Sequence, residues 1–571
     1  MSKNPTFPST EKDQQFHEDS LQPADSISKS SIREHASLSS TKILKENLRE
    51  SFQSTPYITV ARKQTDITEQ DGLHDKPSGY LATETLKGSV FEYRRYWSIA
   101  LLVLGLAICV LPYRSLSRDK NELDFDSFSR AWPRNIFSAH CKKAYPGRPL
   151  IQYVLMVDAG SMGSRIHAYK FNYCNATPEL ESETFDHVEP GLSSYSEDAG
   201  GAAQSLDKLL DAVLETVPAF LHSSTPIAVK ATAGLRLLGE EKSNRILEAV
   251  RQRLESKYPF PIIGEQGVAV MDGADEGVFA WVTVNYLLDR FNSLEKKATV
   301  AILDLGGAST QVVFEPEVIH GHSSAQGTHR YPMNFNGNEY VLYQHSHLGY
   351  GLMMARIQIN NYVIDNPISN QLGVRLSKDE YAHPCLPVNL RQEYIARDGR
   401  NVTLVGVSDQ GGQCRGVVEA IFNKHKLCPQ IPCSFNGIYQ PSLHSSVQDD
   451  IYAFSFFFDL TAPFRLGTSI QAQEMTVAEL EQLTDRVCIG DENDFKEFHG
   501  SVEAMKEIHK SSDLCMDLSY IYGLLEYGYD VPKERKIKLA KKLKGYETGW
   551  CVGASIAVLE ERDWFNTAKI L

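Results

Sequence analysis

Val154-Leu-Met-Val-Asp158-Ala-Gly-Ser161-Met-Gly163-Ser164-Arg165-Ile-His-Ala-Tyr-Lys170 is the stretch on which the reading of this chain turns. An apolar run ends in an aspartate, turns through small residues and resumes as Arg-Ile-His-Ala-Tyr. That pattern predicts two strands joined by a tight hairpin, with Asp158 closing the first. Gly160 and Gly163 accept a positive φ at little steric cost, so successive N–H groups can converge. Ser161, Met162, Gly163 and Ser164 would then form a concavity suited to a phosphate, and Asp158 at its root suits a divalent cation bridging that phosphate. Alone the signal is weak, because Gly/Ser hairpins are common in all-β proteins and an Asp often only stabilises its own turn.

The pattern returns. Ala298-Thr-Val-Ala-Ile-Leu-Asp304-Leu-Gly306-Gly307-Ala308-Ser309-Thr310-Gln311-Val-Val-Phe is again an apolar strand, a terminal aspartate, a small-residue hairpin and a second strand. Two copies form an internal repeat and imply two similar lobes, each presenting an aspartate and a nest of N–H groups. From Ile151 onward strand patterns alternate with helical ones, which is α/β organisation. Ser205–Leu221 and Lys242–Lys257 have helical spacing, Ile227-Ala-Val-Lys230-Ala reads as a strand, and Gly277–Phe291 is apolar nearly all round, as a buried helix would be.

The chain has 571 residues and a net charge of −14, which argues against a nucleic-acid partner. Residues 1–93 are rich in Ser, Thr, Gln, Lys and Glu and read as a disordered cytosolic tail. Residues 96–113 then run roughly 18 positions without a charge, flanked by Tyr96, Trp97 and Tyr113, and read as a single N-terminal transmembrane helix. Residues 114–149 would be a stem and 150–571 the catalytic body. No cysteine precedes the span and nine follow it, together with the sequons at Asn175 and Asn401. That distribution predicts a type II protein whose body lies in an oxidising, glycosylating lumen. An odd number leaves one thiol over, for which Cys551 is the candidate. Cys428-Pro-Gln-Ile-Pro-Cys433 reads as a disulfide closing a Pro-rich loop rather than as half a zinc site, with Cys385–Cys414 and Cys488–Cys515 as further candidate pairs.

Five blocks in order give a narrower reading: Asp158 through His167, Lys230-Ala-Thr-Ala-Gly-Leu-Arg236, Met271-Asp-Gly-Ala-Asp-Glu276-Gly-Val-Phe-Ala-Trp281, Asp304 through Gln311, and Gly549-Trp550-Cys-Val-Gly553. Together they resemble the apyrase family of ecto- and Golgi nucleoside di- and triphosphatases, within the actin, sugar kinase and heat-shock ATPase superfamily. His347-Leu-Gly-Tyr350-Gly-Leu-Met-Met-Ala-Arg356 and the single anchor look most like the branch of fungal Golgi guanosine diphosphatases. The resemblance implies two actin-like, ribonuclease-H-like lobes with a cleft between them, in a Golgi membrane protein. It implies hydrolysis of nucleoside diphosphates, GDP and UDP, with release of orthophosphate in support of glycosylation. Glu276 would be the catalytic base, and Ser309 with Gln311 would hold the attacking water. Ser161, Met162, Gly163, Ser164, Gly306, Gly307 and Ala308 would bind phosphate. Asp158, Asp304 and Thr232 would hold Ca²⁺, Mg²⁺ or Mn²⁺ largely through water, with Trp550 near that shell.

The chemistry is consistent with this assignment, since a carboxylate can activate water and fixed donors can stabilise charge developing on phosphoryl oxygens. Glu276 also has a plain reading as a first-turn glutamate favoured by the helix dipole, and its neighbour Asp275 competes for the role. Tyr350 and the run Phe454-Ser-Phe-Phe-Phe-Asp459 are candidates to stack a base, though such a run is more often core. His345 and His347 alternate like strand residues and read as structural. Met162 departs from the small or hydroxylic residue usual after the serine, and the tail is longer than an anchor requires. A broad-specificity apyrase, a silent nucleotide-binding membrane protein and a cytosolic sugar kinase or ATPase are the alternatives. A homo-oligomer is compatible with the sequence.

Overall fold

The computed structural model describes residues 137–560, apart from 292–295, 317, 320–321, 324–326, 367–376, 408–411, 448, 465–472, 491–494 and 499–500. The expected tail, membrane span and first part of the stem lie outside the described residues. Among those residues no helix is long and apolar enough to cross a membrane.

The opening hairpin forms as β1 (Ile151–Ala159) and β2 (Ser164–Asn172), antiparallel, with Asp158 opposite Arg165. With β3 (Glu179–Val188), β4 (Ile227–Ala231) and β5 (Val268–Val270) it builds a sheet in the order β3-β2-β1-β4-β5, where β4 and β5 run parallel to β1. The second hairpin is β6 (Ala301–Leu305) and β7 (Ser309–Phe314), with Asp304 opposite Gln311. After a short excursion, β8 (Val318–Ile319) with β9 (His322–Ser323), come β10 (Arg330–Phe335) and β11 (Asn338–Leu348). A separate small sheet is made by β12 (Glu380–His383), β13 (Arg391–Ile395) and β14 (Asn401–Gly406). The main sheet is completed by β15 (Ile451–Ser455), β16 (Gln473–Thr476) and β17 (Lys536–Leu539), in the order β10-β11-β7-β6-β15-β17-β16. Its inner five strands, β11-β7-β6-β15-β17, repeat the first sheet strand for strand: an antiparallel meander, then two strands parallel to the first. The repeat in the sequence is thus a repeat in topology.

Both sheets are covered on both faces, which is why β1 and β6 read as continuous apolar runs instead of alternating. Val154 and Met156 of β1 and Ile302 of β6 face a shared central core. Leu155 and Val157 pack into the first lobe, and Leu303 and Leu305 into the second. The central core holds the buried helix Gly273–Leu287, whose Trp281 lies 5.5–5.6 Å, ring to ring, from Tyr340 and Phe291. Truncating Trp281 to Ala would cost about 3–5 kcal/mol. Two glycines set this helix deep. A Cβ on Gly277 would come 2.8 Å from Val313, and one on Gly553, in the terminal helix Cys551–Glu560, would collide with the Phe279 carbonyl. The Gly553 N–H instead donates to Thr283 Oγ1 at 2.9 Å.

Four disulfides stiffen the body: Cys385–Cys414, Cys428–Cys433 and Cys488–Cys515, as expected, and Cys141–Cys174, which joins the end of the stem to the first lobe. There Ala139 N–H also donates to Glu181, and Lys170 Nζ to the Phe137 carbonyl. Cys551 carries the free, buried thiol.

Candidate active site

The two hairpins meet. A Cβ placed on Gly307 would lie 2.5 Å from Ser161 Oγ and 3.3 Å from Met162, so any side chain there would displace the Ser161 hydroxyl of the opposite jaw. The cleft they close has a volume of about 360 Å³. It is lined by Asp158, Ser161, Met162, Thr232, Glu276, Asp304, Gly306, Gly307, Ala308 and Ser309, with Trp550 and Cys551.

The residues expected to touch phosphate are not all placed alike. The N–H groups of Ser161, Met162, Gly307 and Ala308, all on residues that line the cleft, take no acceptor among the described residues and are the candidate donors of the two nests. Gly306 lines the cleft, but its N–H is committed to the Ser309 carbonyl inside its own turn at 3.0 Å, so it offers space rather than a donor. Gly163 and Ser164 lie behind the cleft. A Cβ on Gly163 would come 2.7 Å from the Val188 carbonyl, and the Ser164 hydroxyl is fully buried without a partner.

Glu276 stands in the first turn of the helix Gly273–Leu287, whose N-terminus is capped by Asp272 accepting from Ala274 N–H at 2.8 Å. Arg236, on the helix Ala233–Leu238, forms an ion pair with the Glu276 carboxylate. Burial nonetheless raises Glu276 to about 7, with Arg236 pulling the other way and Asp304 and Asp158 adding repulsion. Its neighbour Asp275 is outside the cleft and accepts from Tyr331 at 3.1 Å. Adjacent helix positions diverge, which separates the two carboxylates. Gln311 is buried behind Ser309. Its Nε2 donates to Ser309 Oγ at 2.8 Å and to Ser346 Oγ at 3.0 Å, and Arg236 Nη1 reaches the same Ser346 hydroxyl at 3.4 Å. One polar chain therefore links Glu276 to Ser309 through Arg236, Ser346 and Gln311. Arg236 closes the second sequence block, one helical turn beyond Thr232, and its pairing with a glutamate on another helix leaves no mark in local spacing.

The two aspartates each keep one oxygen unmatched. Asp158 Oδ2 accepts from Arg165 at 3.2 Å, while Asp158 Oδ1 and Asp304 Oδ1 are buried without a partner. Burial raises Asp304 to about 6, with a hydrogen bond from Ser455 lowering it and Asp158 raising it further. Ser455 has φ +56°, a conformation uncommon outside glycine, and it places the hydroxyl on Asp304 at the end of β15. Two orphaned carboxylate oxygens in a buried, charge-deficient position, with the Thr232 hydroxyl residue beside them, fit a hard divalent cation. Among the described residues no three His, Cys, Asp or Glu side chains converge closely enough to enclose a metal directly. The fit is therefore to an ion that keeps much of its water.

Of the aromatic candidates, Phe454 and Phe457 are core and only Phe456 lines the cleft. Tyr350 is not at the cleft. It packs against Phe422 and Phe435, and its carbonyl accepts from Tyr520 at 2.5 Å, so it belongs to the second lobe's interior. His345 meets His329 and His347 edge to face, and burial holds the His345 and His347 rings neutral, His345 lowered to about 4.

Comparison with known proteins gives the following. The model of the GDA1/CD39 (nucleoside phosphatase) family matches residues 149–570. A probable guanosine-diphosphatase of Aspergillus fumigatus is 43% identical over 499 residues, covering 82% of this chain and 97% of that protein. The guanosine-diphosphatase of Schizosaccharomyces pombe is 44% identical over 438 residues, 75% and 78% of the two chains. Ectonucleoside triphosphate diphosphohydrolase 5 of Gallus gallus is 33% identical over 420 residues, 72% and 87%. Among solved structures, a nucleoside triphosphate hydrolase from Neospora caninum superposes with a TM-score of 0.53 at 15% identity, covering 73% and 94%, a likeness of fold.

Proposed function

The chain belongs to the GDA1/CD39 (nucleoside phosphatase) family, and from that premise we propose that it hydrolyses nucleoside diphosphates, GDP and UDP, to the monophosphate and orthophosphate. The observation that carries this reading is the juxtaposition of Glu276, raised to about 7, with Ser309 and two facing nests of unengaged N–H groups. Water held by Ser309 Oγ, itself oriented by Gln311, attacks the terminal phosphorus in line as Glu276 accepts its proton. The phosphoryl group is loosely bonded in the transition state, so charge on its oxygens is the main thing to stabilise. Ser161 and Met162 face it from one side, Gly307 and Ala308 from the other, as fixed donors. A divalent cation held by Asp158, Asp304 and Thr232, largely through water, would neutralise phosphate charge when bound. Phe456 offers a face for the base.

The two actin-like lobes would sit in the Golgi lumen, anchored through residues 96–113, and remove the GDP left by glycosyl transfer. Four disulfides and the exposure of both sequon asparagines, Asn175 and Asn401, support an oxidising, glycosylating compartment. Phosphate release by the detergent-solubilised full chain, across GDP, UDP, ADP and the triphosphates with Ca²⁺, Mg²⁺ or Mn²⁺, tests the activity. Undiminished turnover in excess chelator would rule the mechanism out. Localisation is checked by protease protection of the body in intact Golgi vesicles.

A further inference from the structure

The wall of the cleft that descends from Asp304 carries an ordered series of side chains. Ser455 reaches the Asp304 carboxylate at the end of β15. Phe456 follows at once, and Asp459 comes one helical turn later on the short helix Phe456–Asp459, so ring and carboxylate share a side. Asp304 at the start of the series is buried, whereas Ser455 and Asp459 are exposed and Phe456 between them is half-buried. Beside Asp459, at 3.2 Å, stands Lys541 Nζ, which also lines the cleft. The Lys541 backbone is pinned where its carbonyl accepts both N–H and hydroxyl of Thr548. A hydrogen-bond acceptor and a donor thus stand side by side on the cleft lining, one helical turn from an aromatic face and with both side chains open to solvent.

We propose that Asp459 and Lys541 read the edge of the base, an inference that rests on the nucleoside diphosphatase reading above. The carboxylate accepts the ring N–H and the ammonium donates to the adjoining carbonyl. Guanine and uracil present that N–H beside C=O. Adenine and cytosine present a bare ring nitrogen beside an amino group, which sets acceptor against acceptor and donor against donor. The ribose diphosphate tether prevents the base from turning over to escape the mismatch. The pair therefore selects keto bases.

The test is kcat/KM of the full-length protein in detergent for GDP, UDP, ADP and CDP, each divided by the value for ribose 5-diphosphate, which has no base. Wild type should favour GDP and UDP. Asp459→Asn should cut their normalised values by about 10–100-fold, the range for a hydrogen bond to a charged group, and leave ADP and CDP level or improved. Lys541→Gln should act in the same direction and less. Equal use of all four bases by wild type, or an equal loss on all five substrates in Asp459→Asn, would overturn base reading while leaving the hydrolase intact. A wild-type protein that turns over none of them removes both.

Discussion

Asp158 and Asp304 close equivalent strands in two hairpins of one design, yet they face different partners. Across the ladder Asp158 meets Arg165 and binds it, whereas Asp304 meets Gln311. Gln311 turns away to hold Ser309, and Asp304 is left with Ser455 alone and more deeply buried. The residues that touch across the cleft, Ser161 and Gly307, are themselves equivalent positions of the repeat. A duplicated fold thus supplies two facing turns with unengaged N–H groups by symmetry, and the proposed chemistry follows from where symmetry fails. In the first copy an arginine offsets the aspartate. In the second, that position is neutral and its amide holds Ser309, the residue proposed to hold the attacking water.

This contrast makes the second hairpin the reactive one. Glu276→Gln, which keeps shape and removes the base, should lower kcat by at least ~10²-fold with KM little changed. A variant keeping a tenth of the rate or more would move the attack elsewhere. Next comes the cation. Asp304→Asn and Asp158→Asn should each raise the half-saturating Mg²⁺ or Ca²⁺ concentration by about 10–100-fold, as loss of groups orienting bound water does. Asp304→Asn should do more, because Asp158 shares its charge with Arg165. The reverse order in a cation titration would break the assignment.

The parts read correctly from sequence were those in which chemistry and backbone coincide. An aspartate ending a strand before small residues fixes its own geometry, and the buried helix, expected over Gly277–Phe291 and formed over Gly273–Leu287, announces itself by lacking a polar face. Tyr350 and Phe456 show the opposite case. Both lie in apolar surroundings, and only the packing of Tyr350 against Phe422 and Phe435 decides that it is core. Arg236 and Cys141 went unassigned for a related reason. Their partners, Glu276 and Cys174, come from other elements, and long-range pairs carry no local spacing. Gly306 failed as a donor because its N–H closes the turn that makes it look like a nest.

A smaller effect separates the roles within the second hairpin. Gln311→Ala leaves Ser309 Oγ in the cleft without its donor, so kcat should drop by about 2–13-fold, the worth of one neutral hydrogen bond. Ser309→Ala should exceed it. Equal losses would mean that Gln311 touches the water itself.

The smallest effect is on stability and needs no substrate. Glu276 and Asp304 are raised to about 7 and about 6 by burial first, then by repulsion from Asp304 and Asp158 on Glu276 and from Asp158 on Asp304, so both hold protons in the folded state that the unfolded chain has already released. Between the ordinary carboxylate range and about pH 7 the native state is thus the more protonated, and stability falls as pH rises through that window. In chelator, the Tm of the wild type should therefore decline by a few degrees more between pH 5 and 7.5 than that of Glu276→Gln or Asp304→Asn, in which the group no longer titrates. Saturating Mg²⁺ should remove most of the difference, because a cation on Asp304 stabilises the charged form that burial penalises. Parallel Tm–pH curves for wild type and both variants would show that these carboxyls are solvated in the free protein, and the argument for an ion between the two hairpins would lose its electrostatic half.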